Sequence, residues 1–116
     1  MANDTVLYQG EDSNIIFDLS DDVFADLADV IIGVRIDKTV KRIYKKTEVD
    51  ATKQVLAVDD EDNKCRILLR REDTLPWPKG LLIFEITLVY TDADFPAGRH
   101  DTEVVPVGNF GETLTR

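Results

Sequence analysis

Between Leu81 and Tyr90 the chain carries two separate faces. Leu82, Phe84, Ile86, Leu88 and Tyr90 share one parity, while Leu81, Ile83, Glu85, Thr87 and Val89 share the other. A strand sends successive side chains to opposite sides, whereas a helix gathers positions three and four apart, so only extended backbone keeps these two sets separate. The β-branched and aromatic content of the run favours the same backbone. Upstream, Cys65, Ile67 and Leu69 alternate with Arg66, Leu68 and Arg70. Between the two runs lies Arg71-Glu72-Asp73-Thr74-Leu75-Pro76-Trp77-Pro78-Lys79-Gly80, whose prolines stop both regular structures. The expected order is therefore strand, proline-punctuated corner, long strand.

The same period recurs along the chain. Ile15, Phe17 and Leu19 alternate with Asn14, Ile16 and Asp18; Val30, Ile32, Val34 and Ile36 alternate with Ile31, Gly33, Arg35 and Asp37. Gly33 inside such a run predicts a bulge or a close backbone approach. Thr39 to Thr47 sets Val40 and Tyr44 among basic residues, the composition of an edge strand guarded against pairing with other chains. Thr5 to Tyr8 and Gln54 to Val58 are brief β-compatible runs, and Arg99 to Val107 is the expected last strand. Ser20-Asp21-Asp22 has capping chemistry for a short helix carrying Val23, Phe24, Leu27 and Ala28, although an irregular connector suits it nearly as well. Asp59 to Lys64 reads as an acidic hairpin loop, residues 91–98 as a turn region, and residues 108–116 as a flexible or partner-docking tail. Seven or eight short strands with little helix in 116 residues predict one all-β domain, an immunoglobulin-like β-sandwich of antiparallel strands. It lacks the disulfide and the core tryptophan that mark antibody domains.

Composition removes several function classes. One cysteine and one histidine supply neither an intrachain disulfide nor a zinc ligand set. Cys65, in phase with its strand, reads as a small core residue. A net charge of −9 opposes a sequence-independent grip on nucleic acid. The amino terminus has no basic and apolar signal segment, so synthesis in the cytosol is expected, and no apolar run approaches the ~20 residues of a membrane-spanning helix. Read as an EF-hand loop from Asp59, the acidic stretch places Lys64 where the turn glycine belongs and Arg70 where the bidentate glutamate belongs. His100 and Asp101 are neighbours on a strand and face opposite ways, so the carboxylate is badly placed to orient the imidazole as a base. No catalytic residue, cofactor or metal is expected.

What remains are surfaces. Lys38, Lys41, Arg42, Lys45 and Lys46 occur with no acidic residue among them, whereas Asp18, Asp21, Asp22, Asp26 and Asp29 cluster elsewhere. Copies of the chain, or a neighbour, could dock sign to sign. Trp77, stiffened between Pro76 and Pro78, suits either a core plug or an interface anchor. A ligand-binding sandwich that holds a glycan is the alternative; it calls for aromatics on one platform, and Tyr8, Tyr44, Tyr90 and Phe110 are scattered in sequence.

Val6-Leu7-Tyr8-Gln9-Gly10-Glu11-Asp12, then Ile15-Ile16-Phe17-Asp18-Leu19, Asp26-Leu27-Ala28-Asp29-Val30, and Arg70-Arg71-Glu72-Asp73-Thr74-Leu75-Pro76 with Gly80 and the long strand after it, form a series of turns and strands. This series resembles the amino-terminal immunoglobulin-like domain of tailed-phage baseplate upper proteins and related small phage or prophage structural proteins. The basic run and the Pro76-Trp77-Pro78 corner depart from that pattern. The resemblance implies a non-catalytic virion component, held in a tail or baseplate by contacts with other tail proteins or with copies of itself, with no membrane or nucleic-acid partner.

Overall fold

A computed structural model describes residues 7–8, 12–58 and 61–112. Its strands are β1 (Leu7–Tyr8), β2 (Ser13–Asp18), β3 (Asp29–Ile36), β4 (Thr39–Lys45), β5 (Leu56–Val58), β6 (Glu61–Leu69), β7 (Gly80–Asp92) and β8 (Phe95–Glu112). A five-stranded sheet in the order β1-β8-β7-β3-β4 faces a three-stranded sheet in the order β2-β6-β5. All pairings are antiparallel except β1 with β8. The expected all-β sandwich is what forms. Strands β8-β7-β3-β4 thus lie opposite β2-β6-β5 across the core.

Alternation drives the packing. Along β3 every second residue, Val30, Ile32, Val34 and Ile36, is buried, and these pack with Phe17, Cys65, Ile67 and Leu69 of the smaller sheet and with Leu82 and Phe84 of β7. Phe17 meets Phe84 edge to face across the sheets, with ring centroids 5.2 Å apart. Such a contact adds to the area term for two large rings already removed from water.

Three connections differ from expectation. Residues 91–98 form a tight hairpin: Asp92 pairs with Phe95, Ala93 and Asp94 make the turn, and the Asp92 carboxylate accepts the Asp94 amide at 2.9 Å. The turn residues after it are absorbed into β8 because Gly98, at φ +92°, supplies the backbone that its position needs. Residues 108–112 are not a loose tail; they continue β8, and Phe110 is buried in the core cluster. β6 begins at Glu61, so the acidic connector is shorter than the composition suggested. Asp59 and Asp60 lie outside the described residues, as do residues 113–116.

Two local features were only partly legible. Ser20 to Ala28 holds one 3-10 turn, Phe24–Asp26, with Phe24 buried, in place of a two-turn helix. The proline corner contains a single helical turn, α1 (Arg71–Thr74), whose start is fixed by the Asp73 carboxylate accepting the Arg70 amide at 3.1 Å. It can extend no further, since Pro76 and Pro78 follow.

Candidate contact surface

The basic run does not act as one patch, because strand parity divides it. Arg42 follows Tyr44 toward the sandwich interior. Tyr44 is fully buried and donates its hydroxyl to the Leu68 carbonyl at 2.7 Å, while Arg42 Nε donates to that hydroxyl at 2.9 Å. The same guanidinium donates to the Thr52 carbonyl at 2.8 Å and pairs with Asp73 at 3.3 Å. Burial pushes the Tyr44 phenol upward even though the Arg42 charge beside it acts the other way. Arg42 thus ties β4 to the smaller sheet and to α1.

Lys46 is also occupied. Its Nζ donates to the carbonyls of Phe24 at 2.8 Å, Ala25 at 3.3 Å and Leu27 at 2.7 Å, and lies 4.9 Å from the centre of the Phe24 ring. These carbonyls end the 3-10 turn, so the ammonium serves as its C-terminal cap. Arg42 and Lys46, expected among the partner-binding residues, are thus both engaged within the fold. Lys38 and Lys45 remain exposed, and Lys41 is half-buried. Lys41 is the extra residue of a bulge, since Val34 pairs with Arg42 and Arg35 with Val40.

Of the two roles expected for Trp77, the buried one is observed. It is 6% exposed and packs on Phe110 with ring centroids 5.6 Å apart, so it is a plug at the end of the sandwich and not an anchor presented to a partner. A ring in that position cannot stack on a sugar, which removes the anchor from the glycan alternative. His100 is exposed and its Nδ1 lies 3.0 Å from the Gly98 carbonyl. Cys65 is fully buried, and burial pushes its thiol up to about 12. Among the described residues no group of three or more histidine, cysteine or acidic side chains is placed to hold a metal ion, and no helix is long and apolar enough to cross a membrane.

The surface that sequence reasoning missed is the outer face of the five-stranded sheet. Ladder register places Ile43, Gly33, Glu85 and Val104 in one cross-strand row, and Lys45, Ile31, Thr87 and Thr102 in the next. Val40, Ile43 and Val104 are 53, 47 and 48% exposed. Gly33 is neither bulged nor closely approached: a Cβ there would meet only Glu85, at 4.0 Å. Its missing side chain leaves a hollow of about 290 Å³ lined by Ile31, Val40, Ile43, Thr87 and Thr102, beside Glu85. Glu85 is held by Arg35 at 3.0 Å, and the Thr87 and Thr102 hydroxyls meet at 2.8 Å. Val40 and Ile43 also border a second depression, of about 450 Å³, with Lys41, Lys45, Glu48 and Lys53 around it. Apolar hollow and basic edge are thus one continuous surface. A glycine within an alternating strand was the available signal, yet the neighbours that make it a hollow come from three other strands.

Comparison with family models, curated proteins and solved structures gives no significant match for this chain.

Proposed function

We propose that this chain is a non-catalytic structural or adaptor subunit that works through protein–protein contact in a phage or prophage-derived tail or baseplate, the virion part of the reading being supported by the resemblance in its turns and strands. The observation that carries the contact reading is the hollow at Gly33, where exposed Val40 and Ile43 adjoin the basic edge formed by Lys41 and Lys45. Exposed apolar surface rimmed by charge is the usual composition of an interaction site. Its floor is rigid, because it rests on central strands β3 and β7 whose other face is the core. A preformed surface loses little freedom on binding, which suits a component whose role is to fix the geometry of its neighbours.

Size-exclusion chromatography at moderate salt tests the reading, with the chain alone and co-expressed with the products of its neighbouring genes. The expected result is a stable complex that Ile43→Asp disperses while leaving the fold intact. A strict monomer in both settings, or a complex indifferent to Ile43→Asp, would refute it. Neighbouring genes that encode no tail proteins would remove the virion assignment and leave the contact surface standing.

A further inference from the structure

We infer that the outer face of the five-stranded sheet is complementary to itself, so that two copies of this chain pair face to face across a two-fold axis parallel to the strands, midway between β3 and β7. This pairing rests on the contact reading above and names a second copy as the partner.

Shape along one cross-strand row is the first reason. From β4 to β8 the row reads Ile43, Gly33, Glu85, Val104. A two-fold axis parallel to the strands reverses that order in the facing copy. Ile43 then meets Val104, and the Glu85 side chain enters the hollow left at Gly33, each relation occurring twice. The hollow has room for it: its volume is about 290 Å³, and a Cβ at Gly33 would touch nothing closer than 4.0 Å. In the next row the same axis sets Ile31 on Thr87 and Lys45 on Thr102. The other two-fold axis in the plane, along the row itself, sets Glu85 on Glu85 and Gly33 on Gly33. That arrangement brings like charges together and doubles the void.

Charge agrees with the first axis. Arg35 lies two residues beyond Gly33 on β3, on the same face and about 7 Å along the strand, a distance that a guanidinium spans. Within one copy its Nη1 meets Glu85 at 3.0 Å, with both side chains still partly exposed. A guanidinium is a fork of five donors, and among the described residues Glu85 is the carboxylate it holds. The second copy's Glu85, seated over Gly33, comes beside the same fork. Two arginines and two glutamates then alternate around the axis, the arrangement in which a pair moved out of water gains a second partner. The chain carries a net −9, but this face does not share it. Asp101 and Glu103 have the parity of Leu88 and Ile86 and lie on the other side of the sheet, beside Asp18 and Asp22. The rows around Gly33 hold Arg35, Lys45 and Glu85, with Lys41 bulged at their margin, so copies approach here without acid facing acid. Four strands and the length from Asp29 to Asp37 cover roughly 19 by 26 Å, about 500 Å² in projection, which with side-chain relief approaches the ~800 Å² per partner of a standard interface. A patch of that size suits a dimer that forms between micromolar and millimolar concentration.

Sedimentation velocity on the full chain across that range tests the pairing. Mass should rise to that of a dimer and stop there, because the contact closes on itself. Gly33→Val fills the hollow with a residue that strands favour, and should weaken pairing roughly tenfold or more. Arg35→Glu and, separately, Glu85→Arg each gather four like charges at the axis and should be monomeric. Mixed one to one they should pair, since every carboxylate then faces a guanidinium of the other copy. Both variants stay net acidic, because the parent carries −9, so general attraction does not join them. Thermal melts at micromolar concentration check folding, and Gly33→Val carries the test if either charge variant fails to fold. A wild type that is monomeric at millimolar concentration, growth past the dimer, undiminished pairing of Gly33→Val, or a folded mixture that stays monomeric would each overturn the inference. If the wild type is monomeric yet Ile43→Asp disperses its complex with co-expressed neighbours, self-pairing falls and the contact reading stands. If no complex forms in either setting, both fall.

Discussion

Lys46→Met removes an ammonium while keeping most of its hydrocarbon stem, and it separates a structural lysine from a surface one. The Nζ bonds to the Phe24 and Leu27 carbonyls are short, 2.8 and 2.7 Å, and part-buried, whereas the bond to Ala25 is long and exposed. A hydrogen bond to a charged group contributes about 1.5–3 kcal/mol, and the lower end applies to a half-exposed site where water competes. Two such bonds, with about 0.5 kcal/mol from the Phe24 face, give a loss of roughly 2–3 kcal/mol after allowing for the lysine desolvation that methionine avoids. For a chain this size the unfolding entropy near the midpoint is about 0.24 kcal/mol per kelvin, so the melting temperature should fall by roughly 8–12 °C. Urea titration is the assay, read for a lower midpoint at unchanged slope. Lys41→Met, which removes a lysine from the same run, should change stability by less than about 0.5 kcal/mol. Equal effects from the two substitutions would show that the carbonyl cap contributes nothing special, and the reasoning would fail.

Other outcomes follow from the same contacts. Tyr44→Phe deletes a hydroxyl that both donates to Leu68 and accepts from Arg42, and should cost about 1–2 kcal/mol in chemical denaturation, with no loss if the hydroxyl is unimportant. Gly80→Ala would drive a methyl group into Asp37 and Ile36 and should destabilise by at least 1 kcal/mol on the order given for overpacking, whereas Gly33→Ala fills open space and should leave the melting temperature within a few degrees. The buried Cys65 thiol should resist aromatic disulfide reagents at pH 8 until the protein is unfolded. Its folded value, near 12, lies above the unfolded one, so the neutral thiol's contribution is complete below about pH 9 and is lost as pH rises toward 12. Cys65→Ala should flatten that alkaline decline between pH 9 and 11, and an unchanged slope would assign the decline to other groups such as Tyr44, whose phenol is also raised.

Much of the sandwich could be read from alternation, because burial of one face repeats every second residue wherever a strand lies on a core. β2 and β3 fall within a residue of their expected bounds, and the inward residues of β3 are those the parity named. Boundaries set by partners were less legible. β8 runs from Phe95 to Glu112, well beyond Arg99 to Val107, because β7 offers it a ladder nearly as long. The candidate site was hardest to read. Five basic residues look alike in a string, yet Arg42 is captured by Tyr44, Thr52 and Asp73, and Lys46 by the carbonyls that end a turn some 20 residues earlier.

Sequence by itself determined the faces: which residues go inward, that the chain is all β, and that one cysteine and one histidine supply neither a disulfide nor a Cys/His zinc set. Tertiary structure decided which charges remain free, that Trp77 is a plug, and that Gly33 opens a hollow. The physical reason is one of range. Parity is a property of the backbone at each residue, whereas a side chain's occupancy depends on carbonyls, rings and carboxylates that only folding brings within hydrogen-bonding distance.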